Sequence, residues 1–185
     1  DRRLAVLGRR CPDGRCAEDE PMPEGYVLSR FRRGVDEDAV VELLAAAYAG
    51  TGDGGWTRRD LERRYAYHWF RDEDVLLAWH GTAPEPGRSG SLGGVHWTKR
   101  RGDGVGEVYN LAVSPDHLRR GLGRALLRAG LAHLGDVGAQ DVALWVDLTN
   151  DRGVRLYAGE GFQFRQEDIA LTRTLRGRQA SPGPV

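Results

Sequence analysis

The residue types that could do chemistry concentrate in one stretch, residues 107–124, which joins a β-rich run to a helical one. Residues 107–113 alternate apolar side chains as a strand does, and the polar residues 114–116 end it. From Gly121 onward, apolar residues recur at helical spacing. The stretch therefore predicts a strand that leads through a glycine-rich turn into the start of a helix.

This turn suits a phosphate or diphosphate group. The first N–H groups of a helix have no partner within the helix, and they lie at the positive end of its dipole. Gly121 and Gly123 lack side chains that would keep an anion from the backbone. Arg119, Arg120 and Arg124 add positive charge at the same place. An ordinary arginine-rich helix start has the same composition, so the turn alone does not identify a ligand.

Two familiar phosphate-binding motifs compare poorly with this turn. A Walker P-loop needs Gly-Lys-Ser or Gly-Lys-Thr after its glycines, and neither tripeptide follows here. A dinucleotide fingerprint needs three glycines directly after a buried strand, with an acidic residue about 20 positions on. A Gly-x-Gly pair alone is weak evidence for that fingerprint.

The length and the charge of the chain limit the classes of function. A chain of 185 residues suits one domain of ordinary size with a substantial core. The formal net charge of +0 gives no general attraction to nucleic acid or to an acidic membrane. No apolar run approaches the ~18 residues of a membrane span, and no signal peptide is visible. We therefore expect a cytoplasmic protein with no nucleic-acid or membrane partner.

The two cysteines, Cys11 and Cys16, suit a disulfide, half of a metal site or a pair of incidental thiols. Two ligands do not close a zinc site. We expect incidental thiols, because both residues fall in a loosely patterned segment. The sequence has no His, Cys and Asp cluster with metal-ligand spacing and no Gly-x-Ser-x-Gly elbow. We therefore expect no metal and no covalent acyl-enzyme.

The elements that position the central stretch follow from hydrophobic periodicity. The pattern predicts an α/β fold, with one mixed β-sheet flanked by helices on both faces. Predicted strands cover residues 26–32, 74–80, 91–99, 107–113, 141–147 and 162–176 (as one strand or two), and predicted helices cover residues 36–48, 57–70, 121–134 and 150–160.

The two ends of the chain have a different composition. Residues 1–25 begin with a short apolar run at residues 4–7, which could form one short strand. The several prolines and glycines that follow are typical of a flexible segment or linker. Residues 177–185 are rich in Gly, Pro and Ser, which predicts a disordered tail. We expect one folded domain over residues 26–176 between them.

Two blocks of the sequence resemble the acyl-CoA motifs of the GNAT N-acetyltransferases. In the first, residues 118–123 follow the pattern Gln/Arg-x-x-Gly-x-Gly/Ala, with a leucine in the first place. In the second, a strand leads to a helix capped by Asn150, which carries Leu156-Tyr157 and closes on Gly161-Phe162. The order of the predicted elements is also that of the GNAT fold. The resemblance covers most of residues 26–175.

A closer resemblance is to the catalytic C-terminal half of the mycothiol synthase family. Its motifs appear here in residues 95–99, Val-His-Trp-Thr-Lys, and in residues 106–109, Gly-Glu-Val-Tyr. Further matches are Trp56-Thr57 and residues 68–70. Residues 51–53 depart from that family's His-Pro-Glu-type loop, which is expected beside the acceptor. Members of the family are tandems of two GNAT domains, which implies a second GNAT domain or a homodimer as partner.

The resemblance implies an acetyl-CoA-dependent N-acetyltransferase that transfers its acetyl group directly to the primary amine of a small molecule. The implied acceptor is a cysteinyl-glucosaminyl-inositol or a similar amino sugar. An aminoglycoside-like antibiotic and a peptide α-amine are alternative acceptors. A GNAT domain that binds acyl-CoA without catalysis is a further alternative.

The resemblance also implies roles for single residues. Glu107 is the candidate base and Tyr157 the candidate general acid. Their structural alternatives are a solvated carboxylate at a strand end and a tyrosine at the edge of the core. The candidate acetyl-CoA-binding residues are Leu111, Ala112, Val113, Leu118, Arg119, Arg120, Gly121, Leu122, Gly123, Arg124, Asn150 and Arg155. The candidate acceptor-binding residues are Lys99, Trp145 and Trp56.

Backbone groups carry part of this expectation. The amides of Leu111 and Val113 are expected to hold the pantetheine and the thioester carbonyl, provided that a bulge or splay frees them from the sheet.

Lys99 and Trp145 also have structural alternatives to a role in binding, namely a solvated lysine and a core tryptophan. His96 lies on a strand with a buried pattern, so we expect it to be a core residue rather than a base.

Overall fold

The computed structural model describes residues 2–18, 20–51, 54–82 and 90–170. The strands are β1 (Arg2–Arg10), β2 (Tyr26–Arg30), β3 (Val75–His80), β4 (Ser91–Gly102), β5 (Val105–Val113), β6 (Asp141–Asp147) and β7 (Gln163–Ala170). The α-helices are α1 (Glu37–Ala47), α2 (Arg58–Arg64), α3 (Leu122–Asp136) and α4 (Asp151–Gly159). Short 3₁₀ turns lie at Pro12–Gly14, Asp72–Asp74 and Pro115–His117.

The strands form one sheet in the order β2-β3-β4-β5-β6-β1-β7. Neighbouring strands are antiparallel except for β5 and β6, which are parallel. This parallel pairing is short, because it runs from Val105 opposite Asp141 only to Glu107 opposite Ala143. Beyond Glu107 the two strands part, and the sheet opens at its centre.

Each face of the sheet has its own apolar core. On one face, Leu127 and Leu131 of α3 pack with Leu144 of β6. On the other face, Leu44 of α1 and Trp97 of β4 belong to a second core, to which α2 also contributes. Burying one such side chain contributes about 1.5–3 kcal/mol. The mixed sheet with helices on both faces confirms the predicted fold class.

The N-terminal strand differs from its prediction. Arg2–Arg10 forms β1, which lies between β6 and β7 and pairs antiparallel with both. Ala5 and Leu7 are buried in the core beneath α3. The possible short strand at residues 4–7 is therefore part of a longer strand inside the sheet. The expectation of a flexible segment or linker is wrong for residues 2–10, because the prolines and glycines that suggested it belong to the next connection.

The connection from β1 to β2 runs along α3, from its C-terminal end to its start. The N–H of Cys11 donates to the carbonyl of Gln140 at 2.9 Å, just beyond the helix. Farther on, Glu20 pairs with Arg128 in mid-helix, and Pro23 lies beside Gly121 at the helix start. The connection therefore contacts the C-terminal end of α3 where it leaves β1, and the start of α3 where it approaches β2.

The two cysteines at the start of this connection are joined. Cys11 and Cys16 form a disulfide and are buried, and the Sγ atom of Cys16 lies 3.6 Å from the carbonyl oxygen of Ala139. The expectation of incidental thiols is therefore wrong. The sequence pattern underestimated the order of this segment, since the cysteines are packed against the end of α3.

Most other predicted elements lie within a few residues of their observed bounds. The second helix is shorter than predicted, because Arg58–Arg64 is followed by turns rather than by a further helical turn. The closing strand is observed as β7, while residues 171–176 and the expected tail at 177–185 lie outside the described residues. Among the helices of the described ranges, none has the length and apolar character needed to cross a membrane.

Candidate active site

A cleft of about 1410 Å³ opens where β5 and β6 part. Its walls come from β1, β5, β6, α4, the end of α1, and the glycine-rich loop that leads to α2. The side chains used in the argument below are Tyr48, Trp56, Arg64, Tyr109, Asn110, Leu111, Trp145, Asn150 and Tyr157. We call this volume the cleft.

The parting of the strands frees backbone groups of β5 on the side of the cleft. The Tyr48 hydroxyl lies 2.8 Å from Oδ1 of Asn110, to which it donates, and 3.3 Å from the carbonyl oxygen of Leu111. The N–H and C=O of a strand residue point to the same side. The amide of Leu111 therefore also faces the opening. This is the splay that the sequence analysis required for a backbone donor at this place.

The residues 118–123, which we call the glycine loop, connect the end of β5 to α3. Gly121 has φ 78°, a left-handed conformation that a residue with a Cβ adopts only at a cost. Arg119 is also left-handed, with φ 62°. No side chain caps the start of α3. The loop therefore presents backbone N–H groups at the positive end of a 15-residue helix.

Gly123 differs from Gly121 in its surroundings. A Cβ on Gly123 would lie 3.6 Å from Val113 and 3.9 Å from Leu156, which are ordinary contacts between α3 and its neighbours. The protein atoms around it therefore accept an alanine. The role of Gly123 in leaving room for an anion stays a prediction, whereas the left-handed conformation of Gly121 is observed.

The arginines of the glycine loop are not equivalent. The Nε atom of Arg124 lies 3.1 Å from the carboxylate of Glu160, which is buried and also binds Arg128. Arg124 thus has an ion-pair partner within the protein, and its assignment to phosphate stays a prediction. Arg120 donates to the carbonyl of Asp116 at 3.3 Å.

Other predicted residues of this region differ in exposure. Arg119 and Leu118 are exposed, and Leu118 contributes no charge at the place where the family has Gln or Arg. The side chain of Leu122 is buried. The side chain of Ala112 is buried in the core with α1, so it offers only its backbone. Arg155 is exposed on α4 and does not line the cleft.

Helix α4 supplies one wall of the cleft. Asn150 begins it, and its side chain accepts the N–H of Gly153 at 2.9 Å. Tyr157 lines the cleft and packs edge-on against Phe162, with ring centres 5.8 Å apart. Burial raises the pKa of Tyr157 to about 12, so its hydroxyl keeps its proton at neutral pH. A protonated hydroxyl in a cleft is suited to donate to a developing anion.

Glu107 is the last residue of β5 that pairs with β6. It is 8% exposed, and its carboxylate lies 3.2 Å from Nη1 of Arg101 and 3.7 Å from Nζ of Lys99. Neither Glu107 nor Lys99 lines the cleft, although the next two residues of β5, Val108 and Tyr109, do. The structure thus places the candidate base beside the cleft and between two cations.

Three aromatic residues, Trp56, Tyr109 and Trp145, also line the cleft, and we call them the aromatic wall. Arg64 stacks over Trp56 at 4.2 Å and donates to the hydroxyl of Tyr109 at 3.1 Å. Trp145 is partly exposed, donates its indole N–H to Asp168 at 3.0 Å and carries Arg101 over its ring at 5.0 Å. These cation–π contacts help to hold the rings of Trp56 and Trp145 in place.

Some residues of the cleft were missed by the sequence analysis. Arg64, Tyr109, Tyr48 and Asn110 lie on three different elements and meet only in the fold. Tyr109 stood inside a quoted motif, and that was the one signal available. Lys99, which was predicted for the acceptor, lies over the ring of Trp69 at 4.6 Å.

His96 lies on the face of the sheet that is covered by α3, away from the cleft. It has 0% exposure, and its Nδ1 is 2.7 Å from the carbonyl oxygen of Leu126, to which an N–H can donate. Burial lowers the pKa of His96 to about 4, so the ring is neutral at physiological pH. This is the core role that the sequence predicted.

Comparison with known proteins identifies the family of this arrangement. The family model described as the acetyltransferase (GNAT) family matches residues 38–162. The mycothiol acetyltransferase of Actinosynnema mirum is 40% identical over 153 residues, which are 82% of this chain and 49% of that protein. That of Thermobispora bispora is 42% identical over 159 residues, covering 82% and 51%. That of Stackebrandtia nassauensis is 40% identical over 179 residues, covering 95% and 56%. The chain thus spans about half the length of these relatives.

Solved structures share the fold. A GCN5-related N-acetyltransferase from Sphaerobacter thermophilus superimposes with a TM-score of 0.72 at 24% identity, over 90% of this chain and 49% of that one. A tandem GNAT protein from the clavulanic acid biosynthesis pathway gives a TM-score of 0.63 at 15% identity, over 90% and 51%. At these identities the likeness is one of fold.

Proposed function

We propose, since the chain belongs to the GNAT acetyltransferase family, that it transfers the acetyl group of acetyl-CoA directly to a primary amine of a small molecule. The observation that carries this proposal is the parting of β5 and β6 beside an uncapped helix start. The two features offer backbone donors at two points, one suited to a diphosphate and one to a thioester carbonyl. Direct transfer requires both substrates in the cleft at once.

The residues present fit acetyl-CoA. The N–H groups of the glycine loop would hold the diphosphate, and the α4 wall with Asn150 and Tyr157 would flank the pantetheine arm. The amide of Leu111, which faces the opening between the strands, would donate to the carbonyl oxygen of the thioester. Acetyl-CoA supplies an activated acyl group and a thiolate leaving group. The protein supplies position, an oxyanion donor and proton transfer.

In the proposed chemistry, one residue accepts a proton and another donates one. The amine nitrogen forms a bond to the carbonyl carbon as the carbon–sulfur bond breaks. Glu107 takes the proton that the amine loses, directly or through a water molecule, and Tyr157 gives its proton to the departing thiolate. Arg101 and Lys99 lie beside the carboxylate of Glu107, at 3.2 Å and 3.7 Å. A raised pKa keeps Tyr157 protonated and ready to donate.

The preferred acceptor is a cysteinyl-glucosaminyl-inositol or a similar amino sugar. Relatives at about 40% identity are named mycothiol acetyltransferases, which supports an acceptor of that class. The aromatic wall with Trp56 and Trp145 suits the apolar face of a sugar ring. Arg64 and Asn110 add polar groups that could bind its hydroxyls.

A binding-only GNAT domain is a second candidate, and the environment of Glu107 is the observation that favours it. A carboxylate placed between Arg101 and Lys99, at 3.2 Å and 3.7 Å, also has a purely structural explanation. This chain spans only about half the length of its relatives. A second domain could therefore be needed to complete the acceptor site. We propose a second GNAT domain or a second copy of the chain as the partner, and the cytoplasm, where acetyl-CoA is made, as the location.

The test combines calorimetry with a panel of amines. Acetyl-CoA is titrated into the protein, and acetylated products are then followed by mass spectrometry with the cysteinyl amino sugar, an aminoglycoside and a peptide α-amine. We expect binding of acetyl-CoA and turnover of the cysteinyl amino sugar. No uptake of acetyl-CoA at millimolar concentration would overturn the proposal. Binding without turnover of any amine would favour the binding-only domain, and light scattering would then report whether a second copy is present.

A further inference from the structure

His117 stands at the start of the glycine loop and has no role in the chemistry above. It ends the short turn Pro115–His117, and it is 8% exposed. Its Nδ1 lies 2.7 Å from the hydroxyl of Tyr26 on β2, and its Nε2 lies 3.4 Å from the hydroxyl of Ser91 on β4. A buried polar side chain bonded on both sides fixes the backbone that carries it.

The ring has the protonation state that this arrangement needs. Burial is the main cause that lowers the pKa of His117, and the neighbouring charges of Arg120 and His80 act in the same direction, while Asp116 opposes them. The neutral ring has one acceptor and one donor nitrogen. Nδ1 can therefore accept the O–H of Tyr26 while Nε2–H donates to Ser91.

The other end of the glycine loop packs against the same residues as His117. A Cβ on Gly93 would lie 2.8 Å from Tyr26, 3.1 Å from Leu122 and 3.3 Å from His117. Leu122, the first residue of α3, is 1% exposed. His117 and Leu122 are thus two anchors on one patch made by Tyr26 and Gly93. Four residues, 118–121, span the gap between them.

Those four residues hold an unfavourable shape. Arg119 and Gly121 are both left-handed, with φ 62° and 78°. A residue with a Cβ, such as Arg119, relaxes to negative φ unless its surroundings prevent it. Anchoring both ends of so short a span prevents that relaxation. It also holds the backbone amides of the loop in one fixed arrangement.

We propose that His117 is a positioning residue for coenzyme A, because it fixes the glycine loop in the shape that presents its amides to the diphosphate. This inference rests on the proposed function, since it concerns the binding of that substrate. His117 does not touch the ligand in this proposal. It acts through the loop, and its effect is confined to ligands that carry a diphosphate.

The test compares two probes on His117→Ala. Acetyl-CoA carries the diphosphate, whereas S-acetylpantetheine has the same thioester arm without it. We expect the Kd of acetyl-CoA, measured by calorimetry, to rise about tenfold, as for the loss of a buried hydrogen-bond anchor. The affinity for S-acetylpantetheine should stay unchanged. His117→Asn, whose Oδ1 can still accept the O–H of Tyr26, should recover most of the affinity.

A matched control separates positioning from general destabilisation. His133 is also 8% exposed and hydrogen-bonded, at 2.7 Å to Asp74, but it lies at the far end of α3. His133→Ala should lower Tm while leaving the Kd of acetyl-CoA unchanged. Equal losses of affinity in the two alanine variants would contradict the proposal.

A milder variant covers the case in which His117→Ala does not fold. Tyr26→Phe removes one hydroxyl and keeps the ring, and we expect it to weaken acetyl-CoA a few-fold with little change in Tm. Unchanged affinity in Tyr26→Phe, or in a folded His117→Ala, overturns the inference while the proposed function stands. Failure of the wild-type protein to bind acetyl-CoA would instead overturn the proposed function.

Discussion

The glycine loop and the aromatic wall of the cleft are built in opposite ways. The loop offers backbone amides, and its shape depends on the left-handed Gly121 and on buried anchors beneath it. The wall offers side chains, among them Trp56, Arg64 and Trp145, which come from separate elements. A backbone site constrains few residue types, whereas a side-chain site constrains many, each at a different place in the chain. The first kind is suited to the constant part of acetyl-CoA and the second to a variable acceptor.

The sharpest way to separate the two regions is Glu107→Gln. We expect kcat to fall by about 10²–10³, because the amine then lacks a positioned base. The Kd of acetyl-CoA should not change, since the glycine loop is untouched. Steady-state kinetics with product detection by mass spectrometry, together with calorimetry, measures both. Lys99→Met, which removes one cation beside the carboxylate, is the control and should have a much smaller effect. A kcat that does not change in Glu107→Gln would remove this residue from the mechanism.

The loop itself is tested by a pair of glycine variants. Gly121→Val forces a β-branched residue into a left-handed conformation, so we expect the Kd of acetyl-CoA to rise up to about thirtyfold. Gly123→Ala should weaken binding much less, because its Cβ meets only ordinary contacts within the protein, at 3.6 Å and 3.9 Å. Calorimetry on both variants decides the matter. Equal losses of affinity would mean that small size rather than conformation is required in this loop.

Tyr157→Phe tests the α4 wall of the cleft. We expect kcat to fall about tenfold, because the thiolate then leaves without a positioned proton donor. The pKa of about 12 lies above the ordinary 10.0, so the native hydroxyl stays protonated as the pH rises to 10. The kcat of the native protein should therefore show no decline between pH 8 and 10 from this group. A decline that is absent in Tyr157→Phe would show that the hydroxyl titrates lower.

The smallest effect is expected at the aromatic wall. Arg64→Met removes the cation over Trp56 and the bond to Tyr109, so we expect the KM of the acceptor to rise about threefold. The Kd of acetyl-CoA should be unchanged. The matched control is Arg63→Met. Arg63 precedes Arg64 on α2 and is exposed, so this variant should behave as the native protein. If both variants raise the KM equally, the wall does not contact the acceptor.

The same contrast explains what the sequence could predict. The glycine loop, the cap at Asn150 and the strand around Glu107 are contiguous patterns, so local rules located them. The contacts of Arg64 with Trp56 and of Tyr48 with Asn110 join residues far apart in the chain, and no spacing rule brings them together. The ion pair between Arg124 and Glu160 joins two elements in the same way, so the sequence showed the charge of Arg124 but not its partner. The fold class followed from periodicity, but the place of β1 did not, since pairing partners of a short strand leave no local signal.

The position of β1 has a consequence for how the chain folds as it is synthesised. Leu4 lies opposite Asp147 on one side and Asp168 on the other, so β1 must wait for two strands that are made well after it. Long-range pairing of this kind slows folding and leaves an unpaired strand exposed in the meantime. Completion of the sheet is therefore tied to the release of β7 from the ribosome, and chaperone dependence during translation should exceed that of a permuted chain in which β1 follows β7.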